Sequence, residues 1–442
     1  MRKSFILILL IMASVATYAQ RPWTLKQCID YALEHNISIK QQELSQKQQE
    51  IQVSTARNSR LPSLSAGASQ NFSFGRGLTA DNTYTNTNTS STSFSLGTDV
   101  PIFTGFQIPN NIKLEQLNLK ATTADLETAK NSIRVNVAQA YVEILYDMEI
   151  SEAAHRQVSI DSMQVERLTR LMENGKVSGV EVSQQKSTMA QSALSATQAD
   201  NNLNMALLTL SQLLELTTPE GFSIARPDEQ MLSESLSAEL VTTPDEIFAM
   251  AVQTRPEIEA EEYRFEGTER SIKIAQSGYY PQLSFSAGMG SNYYRTSGFK
   301  AKSFSKQLDN NFSQYIGLSL NIPIFNRFST RNQIRSAKLN RLNQQYKLDN
   351  AKKTLYKEIQ QAYSNGINAF KKYESCKVAE ASSQDAFKLV TAKYENGKAN
   401  ITEFNESRNN WLSSVSNLIR ARYEYLYACK LLAFYKGEEL QF

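Results

Sequence analysis

The chain has 442 residues, of which 41% are apolar and 21% charged, with a formal charge of only +3. Without any lysine-rich run, nothing in that balance argues for a nucleic-acid or other polyanion partner. Three scattered cysteines and two histidines offer neither a disulfide framework nor a clustered metal site, so no cofactor is expected.

The chain starts with Arg2-Lys3, the apolar run "FILILLIMASVA" and the small-x-small pattern Thr17-Tyr18-Ala19. This is a secretory signal peptide over residues 1–19, and it implies export. No later run approaches the roughly 20 apolar residues that a membrane-crossing helix needs. No Cys stands at the cleavage point, which argues against a lipid anchor there.

The rest is a tandem duplication. "ALEHNISI" from Ala32 aligns with "AVQTRPEI" from Ala251, and "LPSLS" from Leu61 with "YPQLS" from Tyr280, both at an offset of 219. "VPIF" at Val100 and "IPIF" at Ile322, "QAY" at Gln139 and at Gln361, and "ENGK" at Glu173 and at Glu395 all repeat at 222. Residues 20–215 thus form one structural repeat and 245–436 a second. A polar linker, or equatorial segment, over 216–244 joins them, and 437–442 is a tail.

Within each repeat, two stretches alternate with period two. From Pro62 to Phe74 the even positions are Leu64, Ala66, Ala68, Gln70, Phe72 and Phe74, against Ser, Gly and Asn at the odd ones. Phe94 to Ile102, Leu283 to Met289 and Phe312 to Ile322 read the same way, and "GRGLTADNTYTNTNTSSTS" and "RTSGFKAKSFSKQLDNN" read as loops. The strands reach the roughly 9–11 residues that cross a bilayer. Their polar faces are small and uncharged. Phe74, Phe94, Phe103, Tyr293, Tyr294, Phe312 and Phe325 gather toward strand ends like an interfacial girdle. A sheet in lipid must close on itself, and barrels start at about eight strands. Several chains must therefore share one barrel: two copies give eight strands and three give twelve. Pro62, Pro101, Pro281 and Pro323 mark the four junctions between strand and helical pattern, where a residue without an N–H belongs.

From Pro109 to Met172 the pattern is helical without a break, a span on the order of 90 Å. Ile133, Val137, Ala140 and Ile144 step by four and three, as do Leu203, Leu207, Leu210 and Leu214. Trp411, Val415, Leu418, Arg422, Tyr425, Cys429 and Leu432 continue this in the second repeat. Helices of such length pack along others of their kind. Each repeat therefore reads helix, strand, loop, strand, very long helix, ENGK turn, long helix. The fold class is an α+β membrane protein, a shared transmembrane β-barrel continued by a long α-helical coiled-coil barrel.

At the turns, Glu173, Asn174, Gly175 and Lys176 are matched by Glu395, Asn396, Gly397 and Lys398. Each Gly suits a left-handed helix terminus. Ser178-x-x-Glu181 and Asn400-x-x-Glu403 then have the form of capping boxes, while Glu406, one turn on, has no capping task. Its counterpart in the first repeat is Gln184.

The tandem halves, the "PIF" strand endings and the "ENGK" tips resemble the outer-membrane channel family typified by TolC, over nearly all of 24–436. The resemblance implies a homotrimer with four strands per chain, twelve in all, seated in outer-membrane lipid with a periplasm-spanning helical tunnel. It implies tips that meet a periplasmic adaptor serving an inner-membrane transporter. By the same likeness, Glu403 and Glu406 match an acidic entrance ring, and Tyr394 and Glu181 a tyrosine and an acid that hold the gate shut. The chain departs from the pattern at Ala399, where a gate arginine is expected. It departs again at Gly105-Phe106 and Arg327-Phe328, which replace a double glycine after "PIF". The implied function is a passive exit duct for efflux or type I secretion, not an enzyme. A non-conducting structural coiled coil or trimeric adhesin would explain the heptads but leave the four amphipathic strands idle. For a secreted enzyme, Glu143, Glu152 and Glu166 are simply solvated charges.

Overall fold

The computed structural model describes residues 22–78, 82–217, 221–227 and 242–440. The expected signal peptide and much of the 216–244 linker lie outside the described residues. The chain divides into two compact units. One comprises Ser45–Thr123 and Ala260–Asp349; the other contains Ala124–Glu259 with the described residues before Ser45 and after Asp349. Each unit draws on both tandem repeats.

The elements are α1 (Leu25–His35), α2 (Ile37–Asn58), β1 (Ser63–Leu78), β2 (Tyr84–Thr104), α3 (Gln107–Glu173), α4 (Gly179–Leu213), α5 (Pro244–Thr254), α6 (Pro256–Gln276), β3 (Gln282–Thr296), α7 (Phe304–Asn310), β4 (Ser313–Asn321), α8 (Ser329–Glu395) and α9 (Ile401–Tyr435). The duplication is repeated in detail. α3 and α8 have 67 residues each, and α4 and α9 have 35 each. Asn36 and Arg255, 219 apart, both take extended backbone and separate α1 from α2 and α5 from α6. Thr24 and Thr243 start those pairs with reciprocal capping boxes to Gln27 and Glu246. No described helix is long and apolar enough to cross a membrane.

In the first unit the four strands form one antiparallel sheet in the order β1-β2-β3-β4. Register puts Leu64, Thr98, Ala287 and Ile316 in one row and Ala66, Leu96, Met289 and Gln314 in another. The row between them holds Ser65, Gly97, Gly288 and Tyr315, and the rows on either side hold Ser63, Asp99, Ser286, Gly317 and Gly67, Ser95, Gly290, Ser313. One face is thus mainly apolar and the other, apart from Tyr315, small and polar, as the alternation requires. Away from α7 the apolar face is uncovered: Leu64 is 74% exposed and Ile316 80%.

Three strand details differ from the sequence reading. First, β1 runs on to Leu78 and β2 starts at Tyr84, so much of the first expected loop is a long hairpin. Its threonine-rich run carries β-branched side chains that suit a pleated sheet. Phe94 therefore lies in mid-strand, where it meets Phe304 at 6.5 Å, with Tyr293 5.2 Å from the same ring. Second, Pro101 lies inside β2 rather than at its end, at a bulge between Pro101 and Phe103. Lacking a donor, it interrupts the ladder, leaves Ile102 as the extra residue, and brings Phe103 opposite Leu283. Pro62 and Pro281 directly precede β1 and β3, and Pro323 follows β4 by two residues. Third, the second expected loop contains the short helix α7.

After β2 and after the "PIF" that follows β4, the chain bends through paired left-handed residues: Gly105 (φ 61°) with Phe106 (66°), and Arg327 (54°) with Phe328 (62°). The bend survives without the double glycine because each phenylalanine finds a partner. Phe103–Phe106 and Phe325–Phe328 are edge-to-face at 5.2 and 5.4 Å. Lateral contacts order the helices of this unit. Gln46 on α2 donates to Thr123 on α3 (2.9 Å), Lys120 on α3 lies over Tyr263 on α6 (5.2 Å), and Gln344 on α8 donates to Glu261 on α6 (2.6 Å). α2 and α8 are left as the two flanks.

The second unit is helical. Its core joins Cys28, Ile29 and Ala32 of α1 to Ile133, Val137, Ala140 and Ile144 of α3, Leu210 and Leu214, and Leu426 of α9. The heptad seams are therefore the buried ones. Linker residues take part: Trp23 and Ile224 form a parallel bridge, and the Tyr141 hydroxyl donates to the Ala225 carbonyl at 2.6 Å. All three cysteines are free thiols, and burial pushes the Cys28 thiol up to about 12.

Candidate functional site

Both ENGK turns are Schellman caps. Gly175 (φ 69°) and Gly397 (φ 68°) are left-handed. Lys176 N–H returns to Leu171 and Lys398 N–H to Lys393, while Gly175 N–H meets Met172 and Gly397 N–H meets Tyr394. The Asn174 and Asn396 amides each donate 2.7 Å back to a carbonyl one turn earlier. Asn and Gly are thus needed to stop a helix, and Glu173–Lys176 and Glu395–Lys398 remain exposed. The next helices differ. Ser178 and Glu181 form a reciprocal capping box, whereas only the Asn400 half forms in the second copy, through Glu403 N–H at 2.9 Å. Glu403 and Glu406 are exposed and make no hydrogen bond with their carboxylates among the described residues.

Tyr394 and Glu181, which the sequence pairs only by resemblance, are electrostatic neighbours. Burial raises the Tyr394 hydroxyl pKa first and the Glu181 carboxylate adds to it, while Arg167 opposes both. Tyr394 also stacks on Phe404 at 5.0 Å. Arg167 reaches Glu395 at 3.4 Å. An arginine is thus present at this tip although position 399 is alanine, and α3 supplies it.

Sequence reasoning missed a fully buried polar cluster of this region. Asp161, on α3, is fully buried and accepts from Gln157 (3.1 Å), Gln185 (3.3 Å) and Ser192 (2.5 Å), and it pairs with Arg408, itself 3% exposed. One carboxylate so ties α3 to α4 and to α9. Its only sequence signal is an Asp on a helix face, which normally means solvent.

A sheet segment too short to close, with a largely uncovered apolar face, and two helix pairs of 67 and 35 residues are the elements of an outer-membrane channel protein. The comparisons agree. A family model described as outer membrane efflux protein matches residues 28–215 and 248–438, and the chain belongs to that family. It is 25% identical over 329 residues to outer membrane protein TolC of Vibrio cholerae, covering 73% of this chain and 72% of that one. Among solved structures it resembles CusC with a TM-score of 0.78 at 16% identity, covering 94% of this chain and 93% of that one. It also resembles the Campylobacter jejuni CmeC outer membrane channel, at 0.76 and 18%, over 95% and 87%. The protein is placed in the outer membrane, with a periplasm-spanning helical part.

Proposed function

We propose that the protein is the passive exit duct of a tripartite efflux pump or a type I secretion system. It acts as a homotrimer whose twelve strands close one barrel. The sheet carries this reading. β1 and β4 are unpaired edges among the described residues, and an open edge in lipid strands backbone donors and acceptors without partners. The flanks agree: α2 leaves Ile37, Leu44 and Ile51 exposed at heptad spacing, and α8 leaves Leu339, Leu342 and Tyr346. Each flank needs a neighbour, and the opposite flank of another copy supplies one.

In that assembly the ENGK tips meet a periplasmic adaptor, and an inner-membrane transporter provides the energy. Glu181, Tyr394, Glu403 and Glu406 form the gate, and opening moves the tip hairpins apart. The test is light scattering and single-channel recording on detergent-purified protein. A conducting trimer is expected; a non-conducting trimer favours the structural coiled coil, and a water-soluble monomer removes both.

A further inference from the structure

We propose that each seam of the trimer, just beyond the barrel on the helical side, binds an anionic phospholipid by its phosphodiester group. The proposal rests on the ring closure argued above.

Closure sets α8 of one copy beside α2 of the next, and near the sheet both flanks carry one sign of charge. The last two turns of α2 hold Arg57, with Arg60 just after, and no carboxylate. α8 follows Arg327 with Arg331, Arg335 and Lys338, and its first acid is Asp349. Arg57, Arg60, Arg327, Arg335 and Lys338 make no ion pair among the described residues, and Arg331 only lies over Phe328 at 5.2 Å. The interior helix is different, because Lys273 and Arg264 on α6 pair with Glu269 and Glu261 at 3.2 and 2.6 Å. The cations of α6 thus have carboxylates within their own helix, whereas these cations on the two flanks have none. Like charges brought together across a seam repel, and an anion from outside the chain placed between them offsets that repulsion.

Position names that anion. Arg57 is six residues before β1 and Arg331 ten after β4. Between sheet and cations stand Ile324 (94% exposed), Phe325 and Phe328. Exposed aromatics next to arginines mark the headgroup layer of a bilayer. A phosphodiester with two acyl chains satisfies both, its charge among the arginines and its tails over Ile324 and Phe325. Arg57 also lines a cleft of about 490 Å³ in which Lys113, Lys120 and Arg270 face a single carboxylate, Glu266, above Val53 and Leu117.

The experiment uses the full-length protein in nanodiscs of phosphatidylcholine, with or without phosphatidylglycerol, at low and high salt, and follows thermal loss of the trimer. Phosphatidylglycerol should raise the midpoint by several degrees at low salt, and high salt should shrink that rise. Arg57→Gln/Arg331→Gln/Arg335→Gln should lose the lipid dependence while matching or exceeding wild type in phosphatidylcholine. Lys300→Gln/Lys302→Gln, in the β3–β4 connection, should retain it. A conducting trimer indifferent to lipid charge, or a triple variant that keeps the full rise, overturns the lipid site and leaves the duct standing. An equal rise from inorganic phosphate in phosphatidylcholine assigns the seam to a free anion instead. Failure to form a trimer removes the duct and the seam together.

Discussion

Asp161 and Arg408 form an ion pair across 247 positions of sequence, with side chains 0% and 4% exposed. Opposite charges in so dry a place are held by each other and by the amides and hydroxyl around Asp161.

Removing one partner should therefore be far worse than removing both. Asp161→Ala or Arg408→Ala alone leaves a buried charge and should cost about 3–5 kcal/mol. Asp161→Leu/Arg408→Met should recover most of that loss. Denaturant unfolding of the four proteins checks that ordering; equal losses from the single and double variants would show that the pair is not closed in solution.

At the tips, backbone conformation and not crowding limits Gly175 and Gly397, because a Cβ at either would meet nothing within 4 Å. Replacement by Asn, which tolerates left-handed backbone, should be mild. Val should cost more than about 1 kcal/mol at each tip and impair export while leaving trimer assembly intact. If Asn and Val impair export equally, the tips contribute side-chain space to adaptor docking instead.

Glu403→Gln/Glu406→Gln should reduce cation selectivity in planar bilayers, since a threefold set of exposed carboxylates favours cations in a narrow opening. Unchanged selectivity would remove both residues from the gate.

The two strand-to-helix bends give opposite signs. Arg327→Gly relieves a left-handed non-glycine residue and should stabilise by about 1 kcal/mol. Gly105→Ala places a Cβ 2.7 Å from the Ser277 carbonyl oxygen and 2.8 Å from the Tyr280 Cβ, and should destabilise. Thermal unfolding of the two variants checks the ordering.

Asp147 links stability to acidity. Burial, then the Glu143 carboxylate, raises its pKa to about 6, with Arg420 opposing. A raised carboxyl favours the folded state in its protonated form. The stabilisation is complete below the ordinary value near 3.8 and is lost as pH rises through about 6. Between pH 7 and 5 the protein should gain on the order of 1 kcal/mol from this site. Asp147→Asn should flatten that part of the profile, and an unaltered profile would assign it to another group.

Residues that act through local pattern were legible in the sequence. Period-two alternation located all four strands and their faces, and the repeated ENGK located both helix stops. Strand edges were less legible. The threonine-rich start of β2 lacks an apolar face to read, and the Pro101 bulge moves Phe103 into the place that alternation gives to Ile102. Arg327 and Phe328 carry no signal for left-handed backbone, because neither residue type favours it and the Phe325–Phe328 contact that accompanies it has no turn motif of its own. Asp161 was invisible for a different reason, which is tertiary. Only the fold brings Arg408 and Gln185 to it, and by itself it reads as a solvated charge.

The matched lengths of α3 and α8, 67 residues each, constrain how the chain can change. One inserted residue turns every later side chain on that helix by about 100° and advances it about 1.5 Å. A lone insertion would thus scramble the packed seam beyond it. Lineages that shorten or extend this protein should do so by whole heptads, with a compensating edit in the sister repeat.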